Sequence, residues 1–369
     1  MINPYFPEIK NRFGFGFMRL PFIGEEIDVT QTEKMVDAFL AAGFNYFDTA
    51  RGYLNERSEI MLRKTLTSRY PREAYLIADK LSPNYFEKNE DIRPGFQKQL
   101  DNCGVEYFDF YLMHCQNKDL FVKYKACGAY ETAMELKSEG KIRHLGFSFH
   151  DKAEVLDQIL TEYPQMEFVQ IQFNYLDMEN PKVESRKCYE VCRKHGKPVI
   201  VMEPVRGGQL VNMPTAAVDI LPALGGGSNA SYALRFVAGF DGICMILSGM
   251  SSLEMVDDNC SFMADPQPLK DQEMTAIQKV TDIINGLDLI RCTSCKYCVE
   301  GCPQQINIPV IFNCHNSKLR FNKNNAEEKY ATFDVKASAC VQCGQCEDVC
   351  PQQLPIRNLL QNISEEFEK

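Results

Sequence analysis

"TQTEKMVDAFLAAGFNYFDTA", residues 30–50, decides the fold. Its first fourteen residues place Met35, Val36, Phe39 and Leu40 on one face at helical spacing, and Gly43 supplies the stop. The remaining seven form a short apolar and aromatic run that closes on Asp48, the mark of a buried strand. A helix handing over directly to a strand is the repeating unit of a parallel sheet.

Outward from this unit the same alternation recurs. Further strand candidates are "GFGFMRLP" (14–21), "AYLIADK" (74–80), "FDFYLMH" (108–114), "IRHLGFSF" (142–149), "FVQIQFN" (168–174), "KPVIVMEP" (197–204) and "GICMILSG" (242–249). Helical stretches such as 56–69 and 130–140 lie between them, the latter again ending in glycine. With "FNYFDTA" (44–50) that makes eight strands, so the expected fold class is α/β, a (β/α)8 TIM barrel rather than an open doubly wound sheet. No G-x-G-x-x-G follows any strand, which leaves a Rossmann domain without support. The stretch 205–229 interrupts the alternation after the seventh strand and is expected to be either a mobile loop over the barrel mouth or an ordered insertion without function. A Pro-rich link and one helix follow, which divides the chain into a barrel over 1–285 and a second domain over 286–369.

Of 369 residues, 40 are Lys or Arg and 50 are Asp or Glu, a net charge of −10 with no basic block or stripe, which argues against nucleic acid as a partner. The N-terminus lacks a secretory layout and no apolar run reaches the roughly 18 residues that span a bilayer, so no membrane association and a cytoplasmic location are expected. Sixteen cysteines in such a chain point to metal rather than disulfides, because the cytosol keeps thiols reduced.

Active sites of this barrel type sit at the C-terminal strand ends. There the second strand closes on Asp48, the third on Lys80, the fourth on His114 and the fifth on Ser148, with Tyr53 in the loop after the second. Asp, Tyr, Lys and His at one mouth suit carbonyl reduction. A phenol with a pKa of about 10 would give the proton, a cation would lower that pKa, a carboxylate would hold the cation, and an imidazole would orient the carbonyl oxygen. Taken singly, each of these residues also has an ordinary structural use.

"FDTARGYLNE" (47–56), "ADK" (78–80), "YLMH" (111–114) and "GFSF" (146–149) resemble the aldo-keto reductase family over residues 14 to about 265. The resemblance implies Tyr53 as general acid, Lys80 and Asp48 as the groups that tune it, and His114 as the group that orients substrate. It implies NADP or NAD extended across the mouth and a small carbonyl or alcohol substrate. Ser148 and Gln170 match the family's carboxamide-binding pair, Asn259 its adenine contact, Met202 the place where many members stack a Tyr on the nicotinamide, and Asp48 and Ser252 join the nucleotide-contact set. Phe149 stands where Asn usually follows the Ser. Gly249 and Met255 stand where NADP-specific members carry Lys and Arg for the 2′-phosphate, so NADH is a live option. Arg206 could compensate from the other side.

Cys292, Cys295, Cys298 and Cys302 are spaced C-x2-C-x2-C-x3-C before Pro303, and Cys340, Cys343, Cys346 and Cys350 repeat that spacing before Pro351. Structural zinc prefers two separated cysteine pairs, which this spacing does not provide. Two such runs resemble a bacterial two-cluster [4Fe–4S] ferredoxin. In those modules the fourth cysteine serves the other cluster. The resemblance therefore groups Cys292, Cys295, Cys298 and Cys350 around one cube and Cys340, Cys343, Cys346 and Cys302 around the second. The long intervening stretch contains "AEEKYATF", which reads as helical and implies a helix-rich variant.

Hydride moves two electrons and each cube moves one, so direct exchange is awkward without a flavin, for which no signature is present. Three readings follow: a carbonyl reductase whose clusters transfer electrons or dock a redox protein partner; an electron-transfer or redox-sensing protein that binds nucleotide without turnover; and clusters that only staple a small domain.

Overall fold

A computed structural model describes residues 3–321 and 326–368. Contacts between Cα atoms divide the chain into two compact units. One runs to Pro204 and resumes over Ala233–Leu269; the other holds Val205–Tyr232 and the chain from Lys270 onward.

The first unit is a closed barrel of eight parallel strands: β1 (Phe13–Gly16), β2 (Tyr46–Asp48), β3 (Leu76–Leu81), β4 (Phe108–Gln116), β5 (Ile142–Phe149), β6 (Phe168–Gln172), β7 (Val199–Met202) and β8 (Ile243–Gly249). Each strand pairs with the next in the chain. β1 closes the ring by pairing with both β8 and β2, in the registers Phe13 with Ile246 and Gly14 with Tyr46. β2, β3 and β6 are buried along their whole length, which is why they read as apolar runs rather than as alternation. The barrel interior is filled by Tyr46, Leu76, Phe110, Leu112, Phe168, Ile200 and Met245, joined by Phe6 and Ile9 from the N-terminal segment. Phe6 meets Phe110 edge-on at 5.1 Å between centroids and Phe168 at 6.0 Å, so that segment seals one end of the core.

The helix in the opening stretch spans Val29–Ala41 and buries Met35, Val36 and Phe39. Asp28 caps it by accepting the Gln31 N–H at 2.9 Å, and Gly43 turns the chain at φ +89°, a value glycine alone adopts without strain. The helix expected over 56–69 is shorter and changes type. Leu54, Asn55 and Glu56 all have positive φ, so helical geometry begins only at Ser58; the α-helix Ser58–Leu62 then widens into a π-turn over Arg63–Thr67.

The second unit is helix-rich, with Asp271–Asn285, Ile308–Phe321, Ala326–Ala331 and Ile356–Phe367 as its main helices. Its core joins Ile306, Ile308, Phe312, Tyr330, Ile356 and Leu360 to cysteines of both motifs. The segment 205–229 is not a free loop. It is bound into this unit by a hydrogen bond from Gln209 Nε2 to the Cys292 carbonyl and by Thr215 N donating to Arg320 O at 3.3 Å, and it is folded on itself by Asn229 Nδ2 donating to Val218 O at 2.9 Å. Among the described residues no helix is long and apolar enough to cross a membrane.

One barrel position admits no side chain. A Cβ on Gly146 of β5 would lie 2.4 Å from the Phe168 carbonyl oxygen and 2.8 Å from its ring, and backbone cannot yield as a flexible side-chain tip can. Gly146→Ala is expected to lower unfolding stability by about 1–3 kcal/mol, read as a fall in the chemical-denaturation midpoint; an unchanged midpoint would mean that β5 and β6 separate at little cost.

Candidate active site

β2, β3 and β4 deliver Asp48, Lys80 and His114 to one mouth, and the loop after β2 adds Tyr53. The four residues singled out in the sequence are brought together. Lys80 Nζ donates to Asp48 Oδ1 at 2.7 Å and to the Thr49 carbonyl at 2.6 Å, with the Lys80 side chain 0% exposed. The same ammonium lies 4.7 Å from the Tyr53 ring centroid and within hydrogen-bonding reach of its phenol. Tyr53 and His114 meet edge to face at 6.0 Å, and His114 Nδ1 shares a 2.7 Å hydrogen bond with Ser82 Oγ.

Burial and charge pull against each other here. For Lys80, burial pulls the pKa down, but Asp48 and Tyr53 outweigh it and the ammonium is held charged. For His114, burial and the nearby Lys80 both act downward, so the imidazole is neutral at ordinary pH. For Tyr53, burial raises the pKa and Lys80 lowers it, and the balance is an upward shift to about 12. The expectation that the cation would bring the phenol below its usual value is therefore corrected: desolvation of a buried phenolate exceeds the attraction of one ammonium. Asp48 is likewise raised by burial more than Lys80 lowers it, and its second oxygen, Oδ2, is buried without a hydrogen-bond partner.

Behind Lys80 lies a layer that sequence reading missed. Asp79 points to the opposite face of β3, as strand alternation requires. Its carboxyl and that of Glu59 are both buried and within hydrogen-bonding reach of each other. Gln99 Nε2 donates to Glu59 Oε1 at 3.1 Å, to Asp79 Oδ1 at 3.1 Å and to the Lys80 carbonyl at 3.0 Å, while Tyr111 fixes the amide by donating to Gln99 Oε1 at 2.6 Å. Asp79 also accepts the Lys80 N–H at 2.8 Å. Both backbone polar groups of Lys80 are thus gripped from outside the barrel.

Ser148 and Gln170 face each other across β5 and β6 as Cα partners. The Ser148 hydroxyl accepts the Cys115 N–H at 2.8 Å and so keeps its own proton to donate. Gln170 Nε2 touches Met202 Sδ at 3.7 Å, and its Oε1 is buried without a partner. A hydroxyl donor beside an orphaned amide oxygen is the complement of a carboxamide, and this fits a nicotinamide. Asn259 is buried and donates to Ser248 Oγ at 3.3 Å; Ser252 caps the helix Leu253–Met263 by accepting the Met255 N–H at 3.3 Å. Phe149 is buried, and Met255 is exposed. Gly249 has a neighbour the sequence did not suggest: a Cβ there would fall 2.9 Å from Arg19 Cδ, and Arg19 pairs with Glu203 at 3.5 Å. Arg206, offered as a compensating cation, is 0% exposed and donates to Gln209 within the second unit.

The eight motif cysteines line two cavities. Cys292, Cys295, Cys298 and Cys350 surround one, and Cys302, Cys340, Cys343 and Cys346 the other. In each case three cysteines come from one motif and the fourth from the other. Among the described residues no three His, Cys, Asp or Glu side chains are close enough to share a single metal ion. Thiolates that share one tetrahedral zinc at bonds of about 2.3 Å must nearly touch, so these cavities suit a larger inorganic core. Of the other eight cysteines, seven are buried and Cys115 is half-buried.

A family model described as the aldo/keto reductase family matches residues 12–282, and one described as a 4Fe-4S dicluster domain matches residues 291–354. The NADH-specific methylglyoxal reductase of Escherichia coli K12 is 29% identical over 218 residues, covering 53% of this chain and 62% of that reductase. An aldo-keto reductase of Mycobacterium avium is 25% identical over 267 residues, covering 72% of this chain and 87% of its own length. Among solved structures, an aldo-keto reductase from Klebsiella pneumoniae in complex with NADPH superposes with a TM-score of 0.60 at 19% identity, over 73% of this chain and 90% of that one, which bears on the fold. A barrel whose family model runs through all eight strands and ends shortly before the cysteine-rich match leaves one assignment: the chain belongs to the aldo/keto reductase family and carries a 4Fe-4S domain at its C-terminal side.

Proposed function

We propose that the barrel interconverts a small carbonyl compound and its alcohol, with Tyr53 as general acid and base. The observation that carries this is the buried Lys80 ammonium held between Asp48 and the Tyr53 phenol. When bound, a reduced nicotinamide supplies the hydride. Tyr53, with its pKa near 12, is fully protonated at neutral pH and is poised to release its proton to the developing alkoxide oxygen. Lys80 then steadies the phenolate left behind. His114, neutral and held through Nδ1 by Ser82, offers Nε2–H to the same oxygen and orients it. Ser148 and Gln170 would hold the carboxamide, with Met202 against the ring and Ser252 and Asn259 toward the adenylate end.

NADH is the favoured donor. Gly249 and Met255 supply no charge for a 2′-phosphate, and Arg19 beside Gly249 is engaged by Glu203. The name of the E. coli relative, an NADH-specific methylglyoxal reductase, supports both the nucleotide and the class of small reactive carbonyl. The functional division is placed at 285/286, with two [4Fe–4S] clusters beyond it, one held by Cys292, Cys295, Cys298 and Cys350 and the other by Cys302, Cys340, Cys343 and Cys346. When bound, the clusters supply one-electron chemistry, and their use is exchange with a protein partner in the cytoplasm.

Tyr53→Phe is expected to cut the kcat/KM for small aldehydes by about 10²–10⁴-fold while leaving nucleotide affinity in place. Wild-type turnover by that variant would remove Tyr53 from the mechanism, and a higher wild-type kcat/KM with NADPH than with NADH would reverse the choice of nucleotide. Cys350→Ser should lose the EPR signal of the cube built on Cys292, Cys295 and Cys298 and retain the other; loss of the opposite signal would overturn the exchange of fourth ligands.

A further inference from the structure

On the outer side of β3, the helix Asn89–Cys103 turns Gln99, Asn102 and Cys103 to one face, three and four residues apart. That face meets Glu59 from the helix Ser58–Leu62 and Asp79 from β3, which are 1% and 0% exposed. The two carboxyls are in reach of each other, yet among the described residues no Lys, Arg or His forms an ion pair with either, and the Lys80 ammonium points to Asp48 instead. Both Glu59 oxygens already accept hydrogen bonds, Oε1 from Gln99 Nε2 at 3.1 Å and Oε2 from Asn102 Nδ2 at 2.7 Å. Asp79 Oδ1 accepts the Lys80 N–H at 2.8 Å and Gln99 Nε2 at 3.1 Å. Asp79 Oδ2 has the Cys103 thiol at 3.7 Å, and a thiol is a weak donor. The other titratable groups that face the pair cannot neutralise it. Burial first, and then Asp79, pushes the Cys103 thiol up and does the same to the Tyr111 phenol, while Arg51 acts on Glu59 from beyond ion-pair distance and is itself paired with Glu56 at 3.3 Å.

We propose that Glu59 and Asp79 hold one proton between them, seated on Asp79 Oδ2 and donated to Glu59, and that this pair positions Lys80 for proton transfer by Tyr53. The inference rests on the reading of Tyr53 and Lys80 above and deepens it by naming the residues that set where Lys80 stands. Two carboxylates that touch away from water, with no counter-ion, repel each other, and one of them takes up a proton. The donor tally says which. Three of the four oxygens accept hydrogen bonds from N–H groups, and the fourth, Asp79 Oδ2, is the one left to carry hydrogen. A proton there turns repulsion into a charge-assisted hydrogen bond and leaves the pair with one charge instead of two. The directions of the shifts agree: burial and the neighbouring Glu59 charge raise Asp79 well above the carboxylate range, while hydrogen bonds from Asn102 and Gln99 oppose the effect of burial on Glu59. The protonated Asp79 then holds the Lys80 N–H through Oδ1, and Gln99, itself fixed by Tyr111, holds the Lys80 carbonyl. With both its peptide groups tied, Lys80 delivers its ammonium to one place, and displacement by about 1 Å at such a site can cost 10²-fold in rate. Glu59 and Asp79 touch no reacting atom, so both are positioning residues.

The test uses the full-length protein. The infrared difference spectrum at neutral pH, wild type minus Asp79→Asn, should show the carbonyl stretch of an un-ionised carboxylic acid, and that band should move when the protein carries 13C-aspartate. A spectrum without the band would overturn the shared proton, and a band unmoved by 13C-aspartate would place the proton on Glu59 and overturn its seat. In steady-state kinetics with NADH and a small aldehyde, Asp79→Leu is expected to lower kcat by about 10- to 100-fold with both KM values unchanged. Asp79→Asn should keep the wild-type kcat, because its amide still accepts the Lys80 N–H and still donates to Glu59. Wild-type kcat in Asp79→Leu, or an Asp79→Asn variant as slow as Asp79→Leu, would overturn the positioning role. Where Asp79→Leu fails to fold, the spectrum and the Asp79→Asn kinetics decide. A Tyr53→Phe variant that still turns over would remove the reading beneath while leaving the band in place, whereas a missing band beside an inactive Tyr53→Phe would remove this inference alone.

Discussion

The barrel mouth is organised around a charge removed from water. A fully buried ammonium is tolerated only where its surroundings replace the lost hydration, and Lys80 finds that replacement in the Asp48 carboxylate, the Thr49 carbonyl and the Tyr53 phenol. Each of these partners comes from β2 or the loop that follows it, and Lys80 itself from β3, so the ion pair also fastens neighbouring strands at their functional end. Removing one partner from such a pair typically costs about 3–5 kcal/mol, more than most single core contacts. The layer of Gln99, Asp79 and Glu59 acts on the backbone of the same residue, and a displacement of β3 would break both sets of bonds at once.

That arrangement also separates the roles of neighbouring titratable groups. The same burial that raises Tyr53 to about 12 drives His114 toward neutrality, and the ammonium between them pushes both phenol and imidazole downward. One environment thus yields a protonated acid beside an uncharged hydrogen-bond donor, two states that a carbonyl oxygen needs together.

Much of this was legible in the sequence, and the parts that were not share a cause. Buried parallel strands must be apolar on both faces, so all eight could be read as short runs, and strand-end placement singled out Asp48, Lys80, His114 and Ser148. The cysteine spacing was equally direct, and in the structure Cys350 lines the cavity of the first motif's cysteines and Cys302 that of the second's. By contrast, Glu59, Asp79 and Gln99 lie on three separate elements and meet only through packing between helix and strand, so no periodicity could join them. The left-handed run at Leu54, Asn55 and Glu56 contains no glycine to announce it. The direction of the Tyr53 shift depended on the depth of burial, a quantity that a sequence does not carry. Segment 205–229 looked like a loop because its ties, such as Gln209 to the Cys292 carbonyl, reach residues far along the chain.

The reciprocal loan of cysteines bears on how the second unit is made. Neither cavity can be completed by its own motif, since Cys350 walls the first and Cys302 the second. Both ends of the intervening stretch, with the helices Ile308–Phe321 and Ala326–Ala331 between them, must therefore be in place before either cavity is fully walled. A chain that stopped between the motifs would thus wall neither cavity completely.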